Sequence, residues 1–181
     1  FAVVQNSHGG FGAASASSTL TVNQSTDTTY YGVFRDSTGS DAFMLSLVKT
    51  GTGKLTMATN TSHSGGTTVN GGVLEIAGSS GGNSYLRGTA TVNAGGELRY
   101  TGGDGTGFGY NGGNKIDTLN INGGLVDSTS TAHLYGASVN MTGGELRVSA
   151  GTIMWDYVTV NTSASANTAL INSSITLRAD G

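Results

Sequence analysis

Two residue types are missing from this chain of 181 residues, which contains neither cysteine nor proline. Without cysteine there can be no disulfide bond, no zinc finger of the cysteine type and no cysteine nucleophile. A collagen triple helix is excluded as well, because it needs glycine at every third position together with proline. Stability must therefore come from backbone hydrogen bonds and stacked apolar side chains.

Charge and long apolar runs are also scarce. Charged residues make up 10% of the chain, the formal net charge is −3, and no basic patch is present. A nucleic acid is therefore a poor candidate partner. No apolar run approaches the roughly 20 residues that a membrane-spanning helix needs. We expect no nucleic-acid partner and no membrane span in this segment.

Glycine is abundant, with 31 residues, and four of the Gly-Gly pairs each stand between two short β-type stretches. The pairs begin at residues 71, 95, 123 and 143, so their spacings are 24, 28 and 20 residues. A period in the twenties, flanked by short β-type stretches, is typical of a solenoid rung. We predict an all-β fold, a right-handed parallel β-helix (β-solenoid) of about six to eight rungs. An all-β sandwich is the structural rival.

Within one repeat, apolar residues such as Val69, Leu74 and Ile76 alternate with polar ones, which is the pattern of strands with one buried face. Glycine can adopt positive φ where the chain turns between two strands, and asparagine can hydrogen-bond the turn. Asparagines at the same corner of successive rungs are predicted to form an internal ladder. The predicted turn residues are Gly71, Gly72, Gly95, Gly96, Gly123, Gly124, Gly143 and Gly144.

The whole chain, residues 1–181, is expected to form one β-solenoid segment. We assign N-terminal rungs to residues 1–44, the most regular repeat to residues 45–78 and further Gly-Gly rungs to residues 79–181. The chain begins with Phe1 rather than methionine. We therefore expect an excerpt or a processed piece of a larger secreted protein.

The segments Leu47–Met57 and Ser64–Leu74 resemble the autotransporter-associated β-strand repeat. That repeat has leucine, lysine, Gly-x-Gly and a leucine strand, followed by Gly-Gly-Thr, valine, Gly-Gly and leucine. The resemblance implies a parallel β-helix in a passenger-type secreted or cell-surface protein of a Gram-negative-like bacterium, with neither catalysis nor a cofactor. This sequence departs from the family at His63, where tyrosine or an equivalent aromatic residue is usual.

Candidate catalytic groups are few. Glu75, Glu97 and Glu145 each follow a Gly-Gly pair and could line up on one face, with Arg99 and Arg147 beside them. A carbohydrate-cleaving β-helix needs such clustered acids. A ladder of ion pairs between rungs on a solvated face is the simpler interpretation. We predict no catalytic residue, no cofactor and no enzymatic activity.

Metal ligands are equally sparse. The three histidines, His8, His63 and His133, are far apart and include no i, i+4 pair. We therefore predict surface or loop positions for them and no metal site.

Two aromatic residues are the possible ligand contacts. Trp155 and Tyr157 share strand parity and could offer a stacking platform, for example to a sugar. Packing in the core or at an edge is the more usual behaviour of aromatic side chains.

Threonine forms five Thr-x-Thr pairs. Flat ladders of such pairs are how some β-solenoids bind ice. These pairs occur at different phases of the repeat, so we expect no single flat threonine face. Threonine also favours strands in general. The pairs are Thr19/Thr21, Thr26/Thr28, Thr50/Thr52, Thr89/Thr91 and Thr129/Thr131.

The function predicted from these features is an extracellular or cell-surface structural scaffold, a fibre or stalk of stacked rungs. A terminal rung exposes backbone donors and acceptors. We therefore expect identical subunits to stack end to end, or further repeats to continue the chain. The alternative is an adhesin with a binding loop such as residues 101–114, or a carbohydrate-binding and less readily a carbohydrate-cleaving β-helix.

Overall fold

The computed structural model describes residues 2–6, 17–37, 43–59, 61–78, 86–102, 108 and 115–178. These residues form strands and no helix, and hence no helix that could cross a membrane. The strands are β1 (Val3–Gln5), β2 (Ser18–Asn23), β3 (Thr28–Tyr30), β4 (Val33–Arg35), β5 (Leu45–Thr50), β6 (Lys54–Met57), β7 (Thr61–Ser62), β8 (Thr67–Val69), β9 (Gly72–Ile76), β10 (Gly88–Asn93), β11 (Gly96–Tyr100), β12 (Ile116–Ser128), β13 (Ala132–Tyr135), β14 (Ser138–Val148), β15 (Ile153–Asp156), β16 (Thr159–Thr162), β17 (Ala169–Asn172) and β18 (Ile175–Leu177).

The strands stack on three faces of a coil. The first face consists of β2, β5, β8, β10, the start of β12, the start of β14 and β16. The second face consists of β3, β6, β9, β11, the end of β12, the end of β14 and β17. The third face consists of β1, β4 and β7 and, separately, β13, β15 and β18. All of these pairings are parallel, so the predicted parallel β-helix is confirmed and the sandwich is wrong.

The Gly-Gly pairs lie at the corner between the first and second faces. The long strands β12 and β14 continue through this corner, so each contributes to both faces. Gly123 and Gly144 bend these strands with φ of +82° and +87°. Gly72, Gly95 and Gly143 also have positive φ, whereas the other three predicted turn glycines do not.

Inward side chains stack in columns that run along the coil axis, and they form one continuous core. On the second face, the innermost column is at most 6% exposed at every position. No single rung could bury such a column alone, because each residue is covered by its neighbours above and below. The column consists of Leu55, Leu74, Leu98, Val126 and Leu146.

One inward position of the first face is a lysine. Lys49 lies in register with Val69 and is fully buried. Its ammonium group donates to the carbonyl oxygens of Thr50 at 2.7 Å, Gly51 at 3.1 Å and Gly71 at 3.2 Å. Burial lowers the pKa of Lys49, and the nearby charge of Asp27 opposes this effect. The lysine thus binds the corner carbonyls of two successive rungs together.

Replacing Lys49 with methionine is expected to lower the free energy of unfolding by about 2 kcal/mol, because three carbonyl groups lose a charged donor. Urea unfolding followed by circular dichroism measures the change. The matched control is Lys54→Met, which removes a half-exposed ammonium 3.4 Å from Glu75. That change is expected to cost under about 1 kcal/mol, and an equal loss in both variants would contradict the proposed role of Lys49.

Candidate functional site

Four charged side chains stack in one column on the outer side of the second face. Each lies three residues after the second glycine of its Gly-Gly pair, and the pairing of the strands brings them into register. The charges alternate in sign along the column, so each side chain is attracted to its neighbours. In order along the stack the column consists of Glu75, Arg99, Asp127 and Arg147.

Asp127 is the most deeply buried member of this column, with 4% exposure. Arg147 Nη2 donates to its Oδ2 at 2.9 Å, and Ser149 Oγ donates to its Oδ1 at 2.6 Å. Burial alone would raise the pKa of Asp127, but these two hydrogen bonds and the positive charges of Arg147 and Arg99 together outweigh it, and the pKa is lowered. The hydrogen bond to Asp127 in turn raises the pKa of Arg147. The pair is therefore held in its ionised form.

Glu75, Glu97 and Glu145 do not form the single row that the sequence predicted. Glu97 and Glu145 lie one residue after their Gly-Gly pairs, in a second column in which Leu125 separates them. Glu75 belongs to the first column because Val73 and Leu74 intervene after its glycines. Sequence analysis also missed Asp127, although its offset from the preceding Gly-Gly pair equals that of Arg99 and Arg147.

The glycine corner forms the floor of an open groove of about 620 Å³. The column that contains Glu97, Leu125 and Glu145 lines this groove. Arg99 Nε lies 2.7 Å from Glu97 Oε1, and Asn172 Nδ2 donates to Glu145 Oε1 at 3.2 Å. Both carboxylates are thus already engaged by neighbouring side chains, Glu97 within its own strand and Glu145 by a residue of the next rung.

The outer side of the first face carries no charged residue in its two central columns. The first column consists of Thr19, Ser46, Gly66, Thr89, Thr118, Ser138 and Thr159, so that one rung contributes no side chain to it. The second consists of Thr21, Val48, Thr68, Thr91, Asn120, Asn140 and Asn161. We call these two columns the polar face. The expectation that the Thr-x-Thr pairs occupy different phases is wrong for Thr19/Thr21 and Thr89/Thr91, which share this face.

Two side-chain ladders run along the same side. In the polar face, Asn161 donates to Asn140 and Asn140 donates to Asn120, both at 2.9 Å, and Asn120 donates to Thr91 Oγ1 at 3.3 Å. The asparagine ladder predicted at the glycine corner is the second ladder, described next, and both ladders lie on the outer side and not inside the coil. The reason is strand alternation, since the apolar neighbours of these asparagines point inward.

A second ladder follows the edge of this side, next to the glycine corner. Asn93 donates to Asn70 at 2.7 Å, Asn122 donates to Asn93 at 3.1 Å, and Thr142 Oγ1 donates to Asn122 at 3.1 Å. Amide side chains therefore bond successive rungs to one another along two parallel lines.

Two histidines are buried, which corrects the predicted surface position: His63 lies in the loop between β7 and β8 and His133 lies in β13. His63 is fully buried, with its ring 4.7 Å from that of Phe34 and its Nε2 2.8 Å from Thr67 Oγ1. His133 is 3% exposed, and its Nδ1 lies 3.6 Å from Asp156 Oδ2. His8 lies outside the described residues. Among the residues that are described, no group of three or more acidic or histidine side chains could hold a metal ion.

Trp155 and Tyr157 do not form the platform that their shared parity suggested. Trp155 points into the core with 8% exposure, whereas Tyr157 is 60% exposed. Tyr157 has a φ of +55°, so the strand alternation ends before it. Its ring packs edge-on against Tyr135, with ring centres 6.1 Å apart. Most of the candidate adhesin loop, residues 103–107 and 109–114, lies outside the described residues.

Comparison with known proteins gives one match. Residues 47–76 match the model of the passenger-associated-transport-repeat family. This segment begins within β5 and ends with β9, so it includes Lys49, its carbonyl partners and the first Gly-Gly corner. No curated protein and no solved structure matches the chain. Residues 47–76 of this β-solenoid thus carry a passenger-associated-transport-repeat, which confirms the predicted resemblance to autotransporter-associated β-strand repeat proteins.

Proposed function

We propose that the chain is a scaffold segment of a secreted or cell-surface passenger-type protein, and that its stacked rungs build a fibre or stalk. The proposal rests on the structure of the two ends of the stack. Both ends combine strand edges with apolar side chains that belong to the core columns.

At the N-terminal end, the core opens into a pocket of about 270 Å³. Val4, Leu20, Val22, Tyr30 and Phe34 line it together with core residues of the next rung. In the described residues, β2 pairs with β5 and β3 pairs with β6, each along one edge. Their other edges can accept a further parallel strand.

At the C-terminal end, the edges belong to β16, β17 and β18. Ile175 and Leu177 continue inward columns of the third face and are 38% and 77% exposed, whereas Ile153 and Trp155, at the same positions of the preceding rung, are 0% and 8% exposed. Apolar groups that end a column are what another rung would bury.

In the described residues each end presents one strand of each face, β1, β2 and β3 at the N-terminal end and β16, β17 and β18 at the C-terminal end. A second copy can therefore place its N-terminal edge on the C-terminal edge of the first with all strands parallel. Such a head-to-tail contact does not close on itself and generates a filament. Further rungs of a longer chain would use the same edges and extend the same rod.

Two further findings support this proposal. The match to the passenger-associated-transport-repeat supports a secreted or surface location. The carboxylates of the groove are engaged by neighbouring side chains, Glu97 by Arg99 of the same strand and Glu145 by Asn172 of the next rung, which supports a structural and not a catalytic role. The same groove is the observation that favours the second candidate, an adhesin or a carbohydrate-binding β-helix.

Negative-stain electron microscopy of the purified chain at several concentrations tests the proposal. We expect rods of constant width whose length grows with concentration. The variant Leu177→Lys places a charge on the apolar C-terminal end and is expected to shorten the rods. The control Thr52→Lys adds the same charge at an exposed corner turn and is expected to leave them unchanged.

Short particles of uniform length at every concentration would contradict assembly by stacking of subunits. Binding of the wild-type chain to a glycan array, weakened by Glu97→Gln, would then favour the carbohydrate-binding candidate. Circular dichroism of each variant shows whether the fold itself is retained.

A further inference from the structure

We propose that the polar face binds ice. The proposal rests on the strand register, which places hydroxyl, methyl and amide groups in a two-dimensional array. Along the stack, neighbouring strands repeat about every 4.8 Å, and along each strand the outward residues repeat about every 6.7 Å. An array with two fixed repeats is suited to a ligand that is itself a lattice of hydrogen-bonding groups.

Four side chains in the second column of the polar face are held in place before any ligand arrives. Asn120, Asn140 and Asn161 are bonded to one another, and Thr91 accepts the last bond of this ladder. Side-chain ladders of this kind also stabilise sheets that stay flat over many strands. Binding therefore costs little side-chain entropy, which favours even weak individual contacts.

The distribution of charge also favours a neutral ligand. In the described strands of the first face, Lys49 points inward and forms its bonds there. Asp117 lies at the margin of the face, where Lys115 Nζ contacts its Oδ1 at 2.7 Å. The remaining outward groups are hydroxyls, methyls and amides, which can order water without a charged hydration shell.

Two other occupants fit less well. A neutral polysaccharide is usually held by aromatic stacking, and none of the residues of the polar face is aromatic. A second copy would bury roughly 400 Å² per partner on a face of seven strands and two columns, about half of what a stable interface needs. Binding to ice does not require such a large area, because a rod adsorbed anywhere on the crystal surface blocks the growth of ice at that point.

The test measures thermal hysteresis and inhibition of ice recrystallisation by the purified chain. We expect the wild-type chain to show both activities. Thr89 lies on the central strand of the face and is exposed, so Thr89→Lys is expected to abolish most of the activity. The control Thr52→Lys, at the corner turn, is expected to retain it. Thermal unfolding of both variants shows that they remain folded.

Absence of ice activity in the folded wild-type chain would overturn the proposal, as would full activity of Thr89→Lys. A concentration-dependent dimer that Thr89→Lys dissociates, without ice activity, would identify the face as a self-interface. Retention on an insoluble neutral polysaccharide, again without ice activity, would identify that ligand. The length of the rods is measured separately, so failure here leaves the scaffold proposal standing.

Discussion

Replacing Gly144 with alanine is expected to lower the free energy of unfolding by about 3 kcal/mol or more, or to prevent folding altogether. Gly144 has a φ of +87°, which disfavours any residue with a Cβ atom. A methyl group there would also overlap the carbonyl oxygen of Gly124 on the preceding rung and lie 2.8 Å from its amide nitrogen. Backbone atoms held in a stack of parallel strands cannot move aside cheaply. Urea unfolding followed by circular dichroism measures the loss.

The matched control is Gly95→Ala. Gly95 has nearly the same φ, +85°, but a Cβ atom there would meet nothing closer than the Asn70 carbonyl oxygen at 3.9 Å. Only the conformational strain remains, and we expect a loss of about 1 kcal/mol. The difference between the two variants isolates the close approach of successive rungs. Equal losses of unfolding free energy in the two variants would show that the positive φ alone causes the destabilisation. That result would contradict the steric argument.

The sequence could predict that both glycines lie at a corner, because both belong to Gly-Gly pairs in a repeat of alternating apolar residues. It could not predict which of the two glycines lies against the backbone of the preceding rung. Crowding depends on how the rungs are aligned at the bend, where Asn122 is paired with Gly143 and the register shifts before Leu125 is paired with Glu145. Such shifts arise from the three-dimensional stack and leave no pattern in a single repeat.

The charged column is the opposite case, because the sequence contained enough information to predict which charged residues are neighbours. Counting from the second glycine of each pair places Glu75, Arg99, Asp127 and Arg147 at one offset and Glu97 and Glu145 at another. The prediction compared residue types and grouped the three glutamates. The strand register follows the offset, because rungs align at the glycine corner. Position in the repeat therefore predicts neighbours better than chemical similarity does.

His63 was predicted to lie at the surface or in a loop, because the three histidines are far apart in the sequence and include no i, i+4 pair. The structure places it inside, since Thr61 and His63 share parity and both are fully buried next to Phe34 of the preceding rung. The imidazole ring thus packs against an aromatic ring at the position where the family usually has an aromatic residue. Burial at this position follows from the stacking of rungs, which the spacing of the histidines does not show.

Stability is expected to fall as the pH drops from about 6.5 to about 4, and His63 is the cause. Burial lowers the pKa of His63 to about 4, while Asp36 opposes this effect and Arg87 adds to it. In the unfolded chain the imidazole titrates near 6.5. Between these values the unfolded state binds a proton that the folded state does not, so acid favours unfolding. The contribution is absent above about pH 7 and approaches about 3 kcal/mol near pH 4.

The variant His63→Phe keeps a ring against Phe34 and removes the titrating group. Urea unfolding of both proteins at pH 7.5, 6, 5 and 4 compares their slopes. We expect the free energy of unfolding of the wild-type chain to fall more steeply than that of the variant across this range. The variant itself is less stable at pH 7.5, because Thr67 Oγ1 loses its bond to Nε2. If the free energies of unfolding of the two proteins fall in parallel with pH, protonation of His63 does not destabilise the fold. Another group would then control stability in acid.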